Sequence, residues 1–189
     1  MRQLGTFWRA IALLVIDATL AACSTSSHHQ PERSPRPPIV TPDATQARLL
    51  PDGKALAPAT VAPPADEQTV AAVIGAANAI AGRPYQFGGG HWPGWRIDDG
   101  YDSSGAVSYV LHAGGFLPRP ELAEELTHFD QPGPGVLITV VLCPGRAQMV
   151  VTAQMIIAGL RFDALDGPRW RTGPPSSRDD CVERHPQKY

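Results

Sequence analysis

The sequence carries no excess of positive charge: its net charge is −2 at pH 7 and its pI is near 6.3. A nucleic-acid binder normally presents a basic face, so this balance argues against one. The chain also lacks an apolar run of the roughly 20 residues that a spanning helix requires. No His-Glu-x-x-His or comparable zinc motif occurs. The one glycine triplet, Gly88–Gly90, lacks the Lys-Ser/Thr ending and the strand-then-helix spacing of a nucleotide loop. Neither a metal nor another cofactor is expected. Cysteine is scarce, at three residues.

Proline, by contrast, is abundant and uneven, with 20 residues in the chain. That distribution suggests a folded part beside an extended one. The first residues, "MRQLGTFWRAIALLVIDATLAAC", carry Arg2 and Arg9, a short apolar run from Ala10 to Ala22, and small residues before Cys23. This is the layout of a signal peptide over residues 1–22. Its "LAAC" ending resembles the bacterial lipobox, which implies lipidation of Cys23 and anchoring by acyl chains, and not by a spanning helix. Ser24 after that cysteine resembles the outer-membrane sorting pattern of Gram-negative lipoproteins. The expected place is therefore the outer membrane, facing the periplasm. In such an oxidising compartment Cys143 and Cys181 can form a disulfide or stay as two thiols, and sequence leaves both open.

Residues 23–64 are rich in Pro, Ser, Thr, Ala and Gln and show no apolar period, which predicts a disordered linker. The folded domain is expected over 65–189. Val70, Val73, Ile74, Ala77 and Ala81 recur at helical spacing over Asp66–Ala81, with Asp66 as cap and Gly82 and Pro84 as stop. A second helix is predicted over Ser104–Ala113, with Asp102 or Ser103 at its N-cap and Val107, Val110 and Leu111 buried. A short acidic helix follows in "PELAEELTHF", and then strands in "VLITVVL", "AQMVV", "AQMIIAGLRFDA" and "CVERH". Helices first and strands after predict an α+β domain. The glycine- and aromatic-rich stretch between the first two helices reads as a tight turn in which backbone and rings approach closely.

The segments "PYQFGGG", "GYDSSGAVSYVL", "GPGVLITV", "IAGLRFDA" and "ERHP" occur in that order. In this the chain resembles the NlpC-type papain-like peptidoglycan endopeptidases across roughly residues 70–186. The resemblance implies a nucleophile helix packed on an antiparallel sheet, a Cys nucleophile at the first helical turn, a His base opening a strand, and a polar residue on the next strand. Carried over, the Cys position falls on Ser103, a tyrosine lining the site on Tyr85, and the third polar position on Asp163. The His position falls on Arg146 or on Thr152. The two registers differ because "AQMVVT" and "AQMIIA" are near copies six residues apart. Neither residue is a base at neutral pH.

A thiol at a helix N-terminus can ionise near neutral pH, whereas a serine hydroxyl needs an adjacent base. The resemblance combined with these replacements implies a lipid-anchored relative that binds a peptidoglycan stem peptide, or an envelope partner, as a monomer without cleaving it. The enzymatic alternative is a hydrolase using Ser103, with His91 as substitute base and Asp163 as orienting group. A decayed copy without a role is a third reading, to which the six-residue duplication lends weight.

Overall fold

The computed structural model describes residues 44–61, 64–145, 151–175 and 180–189. The signal peptide, Cys23 and Arg146 lie outside the described residues, as do most of the "AQMVV" segment and the first part of the linker stretch. Eleven elements are present among the described residues. In order they are β1 (Arg48–Leu49), β2 (Ala55–Leu56), α1 (Pro64–Ile80), α2 (Ser103–Ala113), α3 (Ala123–Leu126), β3 (Gln131–Pro132), β4 (Ile138–Pro144), β5 (Val151–Ile157), β6 (Leu160–Asp163), β7 (Arg169–Arg171) and β8 (Val182–His185). The domain is α+β, its main sheet running β3-β8-β4-β5-β6-β7 with every pair antiparallel.

α1 begins at a proline, which the first helical turn accepts because its missing N–H would have no partner there. Asp66 therefore sits inside the first turn and is not the cap that the sequence suggests. The helix buries Val70, Val73, Ile74, Ala77 and Ile80. Gly82 follows with φ +86° and donates its N–H to Pro168 O at 2.8 Å. α2 packs on α1 and on β5, burying Ala106, Val107, Val110 and Leu111.

On the sheet, side chains alternate between faces. Val140 and Leu142 of β4, Ala153, Met155 and Ile157 of β5, and Phe162 of β6 are buried in the core cluster they share with the helices. Ala158 and Gly159 form the two-residue turn between β5 and β6. Their φ values of +46° and +83° belong to the turn type that matches strand twist. That turn pairs Ile157 with Leu160 and Gln154 with Asp163.

Part of the stretch expected as linker is ordered. β1 and β2 form a hairpin around Pro51-Asp52-Gly53, where Gly53 has φ +79° and Asp52 Oδ1 accepts from Lys54 N at 3.1 Å. This Pro-Asp-Gly between apolar residues is a turn signal in its own right. The hairpin is held from outside: Asn78 of α1 accepts from Ala55 N and donates to Ala55 O, both at 2.8 Å, and its Oδ1 also accepts from Trp170 Nε1 at 2.8 Å. Ala47, Ala55 and Val61 join the core. β3 and β7 have no counterpart among the sequence-predicted strands, being only two and three residues long. Cys143 and Cys181 form a disulfide that ties the end of β4 to the start of β8.

Candidate functional site

Asp102 caps α2 in extended conformation, and its Oδ1 accepts from Gly105 N at 2.7 Å. The cap is therefore Asp102, and Ser103 is the first helical residue. The glycine-rich loop lies directly over this helix start. Gly88 N donates to Asp102 Oδ2 at 2.9 Å, and Asp102 N donates to Gly89 O at 3.2 Å. A Cβ on Gly105 would collide with Gly89 O, and one on Gly90 (φ +84°) with the Tyr101 ring. The glycines thus allow loop, ring and helix to touch.

Ser103 Oγ accepts a hydrogen bond from Ala153 N of β5 at 3.3 Å. It opens onto a cleft of about 340 Å³, whose walls include Tyr85, Phe87, Leu122, Glu124 and Val151. Tyr85 is half exposed and bridges to Tyr101, so this sequence-predicted residue and Ser103 do line one cleft.

The other candidates stand elsewhere. Thr152 pairs with Cys143 and donates its hydroxyl to Cys143 O at 3.2 Å. By alternation it shares a sheet face with Gln154 and not with Ala153. Asp163 pairs with Gln154 and is fully buried, engaged by Arg171 Nε at 3.0 and 3.1 Å. Arg161 Nε lies 3.2 Å from its Oδ2 without hydrogen-bond alignment. Arg171 also pairs with Asp166. Neither the Thr152 nor the Asp163 side chain hydrogen-bonds to Ser103. On β5 the residue that lines the cleft is Val151, two positions before Ala153 on the same face. Sequence reasoning passed over Val151 because nothing in its chemistry marks it.

His91 belongs to a different constellation. Its Nε2 lies 3.1 Å from Asp102 Oδ1 and 3.3 Å from Ser104 Oγ, while Ser104 Oγ donates to Asp102 Oδ1 at 3.0 Å. A catalytic histidine uses one ring nitrogen toward the nucleophile and the other toward its carboxylate. Here one nitrogen faces both groups. A carboxylate only accepts, so that nitrogen carries its proton toward Asp102 and is not a base for Ser104. Burial raises the Asp102 pKa, but hydrogen bonds from His91, Gly105 and Ser104 outweigh it and hold the carboxyl below the usual range. Asp102 is an ionised hub binding loop to helix.

Among the described residues no group of three His, Cys, Asp or Glu side chains could hold a metal ion. Nor is any described helix long and apolar enough to cross a membrane. Compared with protein-family profiles, curated proteins and solved structures, the chain has no significant match.

Proposed function

We propose that this chain is a lipid-anchored envelope protein whose NlpC-type, papain-like domain binds a peptidoglycan stem peptide or an envelope partner without cleaving it. One observation carries the reading. The hydroxyl at the head of α2, where a nucleophile would stand, is held by a backbone N–H, and among the described residues no histidine or carboxylate hydrogen-bonds to it. Two further features support it: a helix of this kind packed on an antiparallel sheet beside a cleft, and a disulfide suited to an oxidising compartment. Tethering through Cys23 rests on the leader pattern.

The test is incubation of purified peptidoglycan with the chain lacking residues 1–39, followed by mass spectrometry and a sedimentation assay. Unchanged peptidoglycan is the expected result; co-sedimenting protein would make the wall the ligand, and protein left in the supernatant an envelope partner. Released peptides would support the alternative, a hydrolase dependent on Ser103, and His91→Ala would then show whether His91 leaves Asp102 to serve as base.

A further inference from the structure

The lining of the cleft before Ser103 combines exposed apolar side chains with two carboxylates. Phe87 is 82% exposed, Tyr85 48% and Leu122 55%, an apolar group of the kind that marks an interaction surface. The charged side chains of its lining are Asp102 and Glu124. Asp102 is held ionised, and its carboxylate already answers the positive end of α2. Glu124 makes no ion pair among the described residues. Two described arginines on the segments that flank the lining residues are engaged: Arg119 lies 3.0 Å from Glu125 and 3.8 Å from Glu121, and Arg96 covers the Trp92 ring at 4.5 Å. Among the described residues the lining offers such a ligand no cation, and a ligand bearing carboxylates would meet the Glu124 carboxylate, which costs affinity and selects against it.

From this charge and shape we infer that the cleft takes a basic segment of a protein partner, an apolar side chain lying between Phe87 and Leu122 and an adjacent Lys or Arg reaching Glu124. This rests on the non-cleaving reading above and chooses between its two ligand classes. A wall stem peptide, which brings carboxylates of its own, is the disfavoured one.

The experiment uses the full chain and three dye-labelled probes followed by fluorescence anisotropy: a blocked Ala-Phe-Lys-Ala peptide, its blocked Ala-Phe-Glu-Ala counterpart, and a purified stem peptide. The lysine peptide is expected to bind at least about fivefold more tightly than the glutamate one, the scale of one favourable against one unfavourable charge contact. Glu124→Lys should remove that preference and Phe87→Ser should weaken binding of the lysine peptide. Glu67→Lys, an equal charge change on an exposed residue of α1, should leave both unchanged. Equal binding of the two blocked peptides, absence of binding, or an effect of Glu67→Lys as large as that of Glu124→Lys would overturn the inference. Preferential binding of the stem peptide would overturn it too while leaving the non-cleaving reading intact. Cleavage of peptidoglycan would sink that reading separately.

Discussion

The Ser103 hydroxyl accepts from the Ala153 amide, 50 residues away in sequence and 3.3 Å away in space. The contact joins the first residue of α2 to the strand that borders the cleft. It gives this serine a structural partner in place of a chemical one. Ser103→Ala should therefore cost stability only modestly, about 1 kcal/mol or less by urea unfolding, the usual net value of such a bond. Its effect on peptidoglycan turnover should be nil, and a measurable fall in release of wall peptides would contradict the non-cleaving reading.

Because Val151, and not Thr152, lines the cleft, it marks where a base would have to stand to reach the head of α2. In Ser103→Cys the thiol gains only the helix terminus as activator. Adding Val151→His should lower the pH midpoint of its alkylation by iodoacetamide further below the ordinary value of about 8.5. Ser103→Cys with Thr152→His should show no such gain, since that side chain projects from the opposite sheet face. A gain in the Thr152→His variant and none in the Val151→His variant would show that the facing assigned to β5 is wrong.

Asp102 ties stability to pH in a definite direction. Its folded-state pKa is depressed, so the unfolded chain takes up its proton first as pH falls. The stabilisation is fully present above the ordinary carboxylate pKa of about 4 and is lost as pH drops through the lower folded value. Asp102→Asn should flatten that acid limb of the stability curve while keeping much of the cap, because asparagine caps helices nearly as well. An unchanged acid limb in Asp102→Asn would place the dependence on other carboxylates.

The Cys143–Cys181 bridge closes a stretch of 38 residues. On the loop-entropy account its removal by paired Cys→Ser replacement should cost about 4 kcal/mol, read as a lower urea midpoint. A loss well under 1 kcal/mol would mean that the β4–β8 ladder holds those ends together without it.

Asn78 is the remaining single-residue test. Asn78→Ala would leave the Ala55 N–H and C=O and the Trp170 indole without their partners at once. A loss of about 2 kcal/mol or more is expected, since deserted polar groups that are part-buried each carry a desolvation cost. Amide exchange should accelerate first at residues 47–56. Uniform acceleration across the whole domain would instead make the hairpin an inseparable part of one cooperative unit.

How much of this was legible in the sequence depends on the range of the interactions involved. α1 and α2 follow from apolar spacing and β4 from its run of branched residues, because those signals are local, whereas "AQMIIAGLRFDA", expected as one strand, is divided by the Ala158-Gly159 turn between β5 and β6. The β1–β2 hairpin was marked by Pro51-Asp52-Gly53, but proline-rich surroundings masked it and its anchor, Asn78, is remote in sequence. β7 became a strand only because β6 gives it a partner. The site was legible at Ser103 and Tyr85, whose placement depends on a helix start and a glycine turn. It was not legible on β5. There the facing of each side chain hangs on the Ala158-Gly159 turn, and a shift of one residue exchanges Thr152 for Val151. His91 could be singled out as a loop histidine, but not its commitment to Asp102, which requires the loop to fold back over α2.

The ordered segment before α1 also has a mechanical meaning. Ala47 donates its N–H to Ala158 O at 2.9 Å, at the turn that ends β5, while Thr60 N reaches Ala44 O at 3.1 Å. Tension applied to the chain at residue 44 would thus be shared between β5, through Ala47, and α1, through Thr60 and the Asn78 grip on the hairpin. β5 is the strand whose Ala153 amide holds Ser103. A load on the leading segment would be felt at the cleft along one continuous strand.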